Sequence, residues 1–336
     1  MTTTRRDHGG NIDAARARFG GEGWIDLSTG INRQPYPVPA LPVHVWTDLP
    51  TASAQVALMA QARAAFGTSA PGLAVPGAQA AIQMLPRLGA TGQARVIAPT
   101  YNEHAACLRD AGWHVDEMGD LHSLAGADLA VVVNPNNPDG RQYDPADLHA
   151  LSRQVGRLIV DESFCETTPA LSLAAQADDR LVVLRSLGKF WGLAGLRLGF
   201  VFAGDEVTEA LARMAGPWPV SGAALELGRI ALADTGWRAD TLARLQQEAA
   251  QMDALATAIG WHLVGGTALF RTYHTQDALA AQERLARHRI WSRAFPYSAH
   301  WLRLGLPGNA AEWDRLSAAL PDCAGARPSA QRHADG

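Results

Sequence analysis

The chain has 336 residues, 47% of them hydrophobic, which is enough for one large domain or two medium domains with a buried core. A formal net charge of −4 without basic runs argues against a nucleic-acid-binding protein, and no 18-residue apolar run is free of charge, Gly or Pro, which argues against a membrane span. Three cysteines without CxxC spacing, and a start without an apolar signal segment, predict a reduced, cytoplasmic protein without a metal site.

The first 40 residues are predicted to form an extended arm. Their segment NRQPYPVPALP is rich in proline, which fixes the backbone torsion φ and removes hydrogen-bond donors. We therefore expect that residues 1–40 do not fold alone and that a large domain covers residues 41–216.

From about residue 71, short apolar runs alternate with amphipathic stretches such as YNEHAACLRDAG. Nearly all-apolar runs are typical of parallel strands that are covered on both faces. The runs are LAVPG, ARVIAPT, DLAVVVNP, RLIVDES, LVVLRS and LRLGFVFAG. The pattern predicts an α/β domain with a mostly parallel sheet and a ligand site at the carboxyl ends of its strands.

After PWPVSG the pattern changes to the long helical stretches ALELGRIALAD and TLARLQQEAAQMDALATAIG. Short strands are predicted near WHLVGGTALFRTY, RIWSRAF and HWLRLGLP. Together these elements predict a smaller α+β domain over residues 217–322. The polar tail at 323–336 is predicted to be disordered.

Lys189 is the only lysine among the 29 Lys and Arg residues of the chain. Arginine serves as well for surface charge and carboxylate pairing, but it cannot lose its proton and act as an amine nucleophile. The flanking stretch RSLGKFWGLAGLRLG is rich in glycine, which permits close approach of another molecule. We therefore predict a chemical role for Lys189, with a chance surface lysine as the alternative.

Three further groups of residues follow predicted strands. Residues 77–79, Gly77, Ala78 and Gln79, begin a predicted helix whose first N–H groups could bind a phosphate. Asp161 in RLIVDES could pair with a protonated ring nitrogen, or act as a helix cap or structural ion pair. Asn137 in NPNNP could donate its amide to a phenolate oxygen, or belong to an ordinary Asn-Pro turn.

Three side chains complete the predicted cofactor site. Ser186 and Arg197 flank Lys189 and offer a hydroxyl and a permanent cation to a phosphate. Tyr101 follows ARVIAPT and could stack on an aromatic ring, with an ordinary core or surface tyrosine as the alternative.

Together and in this order, these residues resemble the fold-type I enzymes that use pyridoxal 5′-phosphate (PLP), in the class I/II aminotransferase family, over nearly the whole chain. The resemblance implies that Lys189 binds the cofactor and moves the substrate proton, while Asp161 keeps the pyridine nitrogen protonated. Asn137 would bond the ring oxygen O3′, and Tyr101, the third catalytic residue, and Ser163 would lie against the two ring faces. The cofactor phosphate would rest on five residues: Gly77, Ala78, Gln79, Ser186 and Arg197.

Two groups within this family are similar to the chain: the histidinol-phosphate aminotransferases and the threonine-phosphate decarboxylases of cobalamin biosynthesis. HGGN at 8–11 and IDLSTGIN at 25–32 resemble the opening of the decarboxylases. Phe164 and the Pro-Trp of PWPV also resemble them, since many aminotransferases have tyrosine there. The resemblance implies decarboxylation of L-threonine O-3-phosphate to 1-aminopropan-2-ol O-phosphate and CO2, with histidinol-phosphate-type transamination as the alternative.

The same resemblance implies a set of substrate-binding residues: His8, Gly30, Asn32, Arg293 and Arg303. Arg303 matches the position that clamps an α-carboxylate, a task suited to a planar two-pronged donor. Arg293 resembles the arginine that reads the substrate phosphate in phosphate-bearing relatives. Solvent-facing strand positions are the alternative for both arginines, as a surface position is for His8.

The chain departs from the family pattern in three places. Trp46 replaces a tyrosine that reaches the partner subunit's cofactor phosphate, Ser163 stands where alanine is usual, and the segment from Arg293 to Arg303 is short. The resemblance also implies a homodimer with a small-molecule substrate and without nucleic-acid or membrane partners. A rival of another class, the PLP-fold effector domain of a regulator, would need an N-terminal DNA-binding domain, for which a 40-residue arm leaves no room.

Overall fold

The computed structural model describes residues 8–323. Residues 1–7 of the predicted arm and residues 324–336 of the predicted tail lie outside this range. Cys323, predicted to begin the disordered tail, instead ends a short 3-10 helix, Leu320–Cys323, and is buried. The prediction of disorder is therefore wrong for this residue, whose thiol lies 3.8 Å from the Ala281 carbonyl oxygen.

The bounds of the regular elements follow in chain order. The helices are α1 (Ile12–Phe19), α2 (His44–Thr47), α3 (Ala52–Phe66), α4 (Ala78–Met84), α5 (Glu103–Asp110), α6 (Pro145–Ser152), α7 (Asp205–Ala215), α8 (Gly222–Ala233), α9 (Thr235–Ala258), α10 (Ala278–Arg287) and α11 (Ala310–Ala319). The strands are β1 (Ile25–Asp26), β2 (Gly72–Val75), β3 (Gln93–Ile97), β4 (His114–Met118), β5 (Leu129–Val133), β6 (Arg157–Asp161), β7 (Leu181–Ser186), β8 (Gly199–Phe202), β9 (His262–Thr267), β10 (Phe270–His274), β11 (Ile290–Trp291), β12 (Arg293–Phe295) and β13 (Ser298–Gly305). Within residues 8–323, no helix combines the length and apolar character needed to cross a bilayer.

The large sheet has seven strands in the order β2-β8-β7-β6-β5-β3-β4. Five neighbouring strands, β7, β6, β5, β3 and β4, run parallel to one another. This confirms the predicted mostly parallel α/β architecture. Two details differ from the sequence prediction. β8 runs antiparallel to both β7 and β2, and β4, whose sequence HVDEM is largely polar, forms an edge strand that the apolar pattern did not reveal.

The all-apolar runs are buried because both faces of the sheet are covered. On β5, Ala130 and Val132 pack into one hydrophobic cluster, while Leu129 and Val131 pack into the cluster on the other face. This alternation follows from the two-residue period of a strand. The same alternation determines on which face of the sheet the last side chain of each strand lies.

The small sheet is antiparallel, in the order β12-β13-β10-β9. The N-terminal segment is not simply an extended arm: it forms α1, capped by the Asn11 side chain 3.3 Å from the Ala14 nitrogen, and β1, which pairs in parallel with β11. The segment is therefore joined by backbone hydrogen bonds to the part of the chain that carries Arg293.

Candidate active site

A cavity of about 130 Å³ lies at the carboxyl ends of β5, β6 and β7. Nine predicted cofactor residues line it: Ala78, Gln79, Tyr101, Asn137, Asp161, Ser163, Ser186, Lys189 and Arg197. Ile82, Val133 and Phe164 complete the lining. The structure thus brings together side chains that are up to 119 positions apart, because parallel strands end at a common edge.

Lys189 is buried in the loop that follows β7. Its backbone carbonyl accepts hydrogen bonds from the N–H groups of Asn32, at 3.0 Å, and Gly192, at 3.2 Å. Its Nζ lies 5.5 Å from the centre of the Phe164 ring. Burial, and after it the Arg303 guanidinium, lower the pKa of Lys189 to about 8. About a tenth of this amine is therefore neutral, and nucleophilic, at pH 7, far more than for a lysine of ordinary pKa.

Asp161 ends β6 as a buried, ionised carboxylate. Its Oδ2 lies 2.9 Å from His104 Nε2, and its Oδ1 accepts hydrogen bonds from the Ser163 nitrogen at 2.9 Å and hydroxyl at 2.6 Å. Burial favours the neutral acid, but the bonds to His104 and Ser163 outweigh it and hold the pKa of Asp161 below its ordinary value. The site therefore holds a fixed negative charge in a dry environment.

A concave backbone surface is formed where α4 begins. Gly77 has φ of 76°, a left-handed value that favours glycine, and a Cβ there would lie 2.6 Å from Arg197 Nη2. The first N–H groups of a helix have no intrahelical acceptor, so Ala78 and Gln79 point donors toward this surface. Ser186 lies at the end of β7 and also lines the cavity. These residues together offer N–H, hydroxyl and guanidinium donors to one anion.

Tyr101 forms one wall of the cavity and is tied to polar neighbours. Its hydroxyl donates to Gln79 Oε1 at 3.1 Å, and Gln79 Nε2 donates to Glu103 Oε2 at 2.9 Å. Burial, and after it the Glu103 carboxylate, raise the pKa of Tyr101 to about 12, so the phenol stays protonated. His8 Nε2 lies 3.0 Å from Glu103 Oε1, which brings the N-terminal segment to the same wall.

Arg303 is 3% exposed and reaches the cavity from the small sheet. Its Nη2 donates to the Ser28 carbonyl at 2.6 Å, and its Nη1 donates to Asn137 Oδ1. The Asn137 carbonyl oxygen is thus engaged, which leaves its amide N–H groups to face an acceptor in the cavity. Arg293 is the cross-strand partner of Arg303 and lines a neighbouring cavity together with His8.

Two predicted substrate residues occupy positions that fix the fold around the lysine. Asn32 is buried: its Nδ2 donates to the Phe190 carbonyl at 2.9 Å, and its Oδ1 accepts from Gln34 and Arg244. Its side chain holds the lysine loop and is not among the cavity-lining groups. A Cβ at Gly30 would lie 2.8 Å from the Phe164 ring, so the backbone at Gly30 packs against the cavity wall.

Sequence reasoning missed three residues of this site: His104, Glu103 and Ser28. His104 precedes Cys107 and Leu108 by three and four positions, so its place on the buried face of α5 was readable from helical spacing. Its partner Asp161 is 57 positions away, and local patterns do not reveal such pairs. The contact of Ser28 with Arg303 uses a backbone carbonyl, which has no residue signature.

Known proteins resemble this chain over most of its length. A family model described as aminotransferase class I and II matches residues 40–320. The chain is 43% identical over 326 residues to the threonine-phosphate decarboxylase of Sinorhizobium sp., covering 93% of this chain and 97% of that protein. It is 42% identical to the threonine-phosphate decarboxylase of Pseudomonas aeruginosa, covering 94% and 97%. The histidinol-phosphate aminotransferase of Salmonella arizonae is 32% identical over 154 residues, covering 41% of this chain and 43% of that protein.

Solved structures share the fold at lower identity. The histidinol-phosphate aminotransferase from Sinorhizobium meliloti, in complex with PLP, matches with a TM-score of 0.81 and 19% identity, over 96% of this chain and 97% of that chain. The L-threonine-O-3-phosphate decarboxylase from Porphyromonas gingivalis matches with a TM-score of 0.72 and 18% identity, over 89% and 98%. These likenesses confirm the predicted fold class.

Proposed function

The chain belongs to the aminotransferase class I and II family, and on this basis we propose that it is a PLP-dependent decarboxylase. It converts L-threonine O-3-phosphate to 1-aminopropan-2-ol O-phosphate and CO2, a step of cobalamin biosynthesis. The observation that carries this proposal is the extent of the likeness: threonine-phosphate decarboxylases match over 93% and 94% of the chain, whereas the histidinol-phosphate aminotransferase matches over 41%.

The cofactor is PLP, and the residues around the cavity fit its three polar ends. A buried amine with a lowered pKa suits the aldehyde, and a buried carboxylate held ionised by His104 and Ser163 suits a protonated pyridine nitrogen. The N–H groups after Gly77, with Ser186 and Arg197, suit the phosphate. Bound PLP supplies an aldehyde that condenses with amines and a ring that withdraws electrons from the substrate Cα.

Lys189 has two tasks in this proposal. Its neutral amine would hold the cofactor through the aldehyde, and as a free amine it would donate a proton to the substrate Cα when CO2 leaves. Both tasks need an amine that gains and loses a proton near neutral pH, which a guanidinium cannot do. Tyr101, with its phenol kept neutral, and Ser163, whose hydroxyl donates to Asp161, both line the cavity and would lie against the cofactor ring.

The substrate is oriented by cations from the small sheet and the N-terminal segment. Arg303 binds the α-carboxylate, and Arg293 with His8 binds the phosphate. Decarboxylation requires the bond from Cα to the carboxylate to stand perpendicular to the ring plane, so the placement of the two anionic groups decides the reaction. A substrate that is bound through both its α-carboxylate and its phosphate is held in a single orientation relative to the ring.

The domain division, the dimer and the cellular location are also proposals. Residues 41–216 form the cofactor-binding domain, and residues 217–322 form the domain that carries both substrate arginines. The enzyme acts as a homodimer, which is supported by the exposed apolar side chains of α2 and its surroundings: Val38, Val43, Trp46, Leu49 and Val56. It works in the cytoplasm, which is supported by three free cysteine thiols.

The test is product analysis with purified, PLP-loaded protein. The proposal expects CO2 and 1-aminopropan-2-ol O-phosphate from L-threonine O-3-phosphate without any 2-oxo acid. Amino transfer from histidinol phosphate to 2-oxoglutarate, with no CO2 from threonine phosphate, would overturn it in favour of a histidinol-phosphate-type aminotransferase.

A further inference from the structure

Glu103, the first residue of α5, is a buried carboxylate that lies behind the cavity wall and bonds to the lining residue Gln79, and none of the steps above uses it. One oxygen accepts from Gln79 Nε2 at 2.9 Å, and the other lies 3.0 Å from His8 Nε2. A carboxylate that is 6% exposed is costly unless cations or hydrogen-bond donors face it. The Glu103 carboxylate therefore holds the His8 ring in place beside the site.

The backbone beside His8 is fixed as well. The Gly10 N–H donates to the Ser28 hydroxyl at 2.7 Å, and a Cβ at Gly9 would lie 2.4 Å from the Ser28 carbonyl oxygen. That same carbonyl accepts from Arg303. The N-terminal segment thus lies against the group that positions the carboxylate-binding arginine, and Glu103 fixes the imidazole ring at its end.

The orientation of the imidazole follows from these contacts. With Nε2 directed at Glu103, Nδ1 is the ring nitrogen that remains for a substrate, and His8 lines the same cavity as Arg293. Where both nitrogens of an imidazole carry protons, one can donate to a carboxylate and the other to an anion. His8 and Arg293 thus bring an imidazole and a guanidinium to one cavity.

We propose that Glu103 is a positioning residue that gives the enzyme its preference for phosphorylated amino acids, by holding His8 so that its free ring nitrogen donates to the substrate phosphate. This inference rests on the proposed function. Through Gln79 the same carboxylate also fixes the Tyr101 hydroxyl, so one residue links the phosphate end of the substrate to the wall of the cofactor cavity.

The test is a double-mutant cycle on the PLP-loaded enzyme with Glu103→Gln, His8→Ala and the double variant. Glutamine keeps the size of the side chain and an acceptor for Gln79 but removes the charge. We expect each single change to raise the KM for L-threonine O-3-phosphate about tenfold with kcat changed by less than about twofold. On the His8→Ala background, Glu103→Gln should add less than about twofold. The affinity for unphosphorylated L-threonine, read from the cofactor absorbance, should not change.

A matched control is Glu117→Gln, which removes an exposed carboxylate paired with Arg109 at 2.8 Å on a nearby surface. It should leave all values unchanged. The proposal is overturned if Glu103→Gln lowers kcat instead of raising KM, if it weakens threonine and threonine phosphate equally, or if its effect persists without His8. If Glu103→Gln does not fold, His8→Gln, at an exposed position, must still raise the KM for the phosphate substrate alone.

Failure of the proposed function would be seen separately, as wild-type enzyme that releases no CO2. In that case the same cycle is measured as the dissociation constant of inorganic phosphate by calorimetry. An about tenfold weakening that requires His8 supports the role of Glu103, and an unchanged constant contradicts it.

Discussion

Arg293 and Arg303 are direct cross-strand partners on the antiparallel strands β12 and β13. Side chains of such partners project on the same face with Cβ atoms about 5 Å apart, and like charges there are unfavourable unless an anion joins them. Both guanidiniums also contribute to the lowered pKa of Lys189. The small sheet thus brings two guanidinium groups close enough to Lys189 to act on its charge.

The two arginines are predicted to have separable roles. Arg303→Lys should lower kcat/KM for threonine phosphate by about 10- to 100-fold, because a single ammonium does not replace a two-pronged donor. Arg293→Gln should raise the KM for threonine phosphate but leave the affinity for threonine unchanged. Steady-state kinetics and binding titrations measure both, with the exposed Arg287→Lys as the control. Equal loss for both ligands in Arg293→Gln would contradict a phosphate role.

The pH dependence of cofactor capture should follow Lys189. Its pKa is lowered to about 8, so the nucleophilic neutral amine increases as the pH rises through that value and is complete above it. The rate at which apoenzyme binds PLP, followed by absorbance, should therefore rise with pH and level off above about pH 9. Arg303→Gln removes a cation that lowers this pKa, so the midpoint should move to higher pH. A rate independent of pH would refute the assignment.

Gly77→Ala should weaken PLP binding by placing a Cβ against Arg197 Nη2. Gly67 supplies the matched control, because its φ of 63° is also left-handed while a Cβ there meets no heavy atom within 4 Å. Both changes should cost about 1 kcal/mol of folding free energy through backbone strain. Only Gly77→Ala should raise the dissociation constant of PLP, which fluorescence titration of the apoenzyme measures. Equal PLP affinity in the two variants would rule out a cofactor contact there.

His104→Phe should raise the pKa of Asp161, since the bond from His104 is the largest of the contributions that lower it. A carboxylate with a raised pKa needs a higher pH to ionise, so the acidic limb of the kcat profile should move upward. The exposed His114→Phe is the control, because its ring lies 3.9 Å from Asp116 and far from Asp161 in the sheet order. An unmoved acidic limb in His104→Phe would show that Asp161 is held ionised by other groups.

The strands that carry the site were predictable because their physical signal is strong. LAVVV is wholly apolar and RLIVD nearly so, and the polar residues at or just after their ends, Asp161 and Asn137, stand out against them. β4 was missed because it is an edge strand with three exposed residues among its five. The direction of β8 could not be predicted either. A strand that is buried on both faces has the same apolar sequence pattern whether it runs parallel or antiparallel to its neighbours.

The partners of the site residues were less predictable than the residues themselves. Lys189 is conspicuous as a single lysine, and its lowered pKa follows from burial and from Arg303, which lies 114 positions away. Asn32 is an example: its substrate contact stays a prediction, and the bond from its amide to the Phe190 carbonyl has no signal in the sequence. Such uses depend on tertiary packing, which no local pattern contains.

The amine of Lys189 is the group that we propose binds the cofactor. Borohydride reduction of the PLP-loaded enzyme makes the bond between lysine and cofactor permanent, and peptide mapping by mass spectrometry then locates it. We expect a pyridoxyl group on Lys189, and neither retained cofactor nor CO2 release in Lys189→Arg. A cofactor retained elsewhere, or turnover that survives Lys189→Arg, would contradict it.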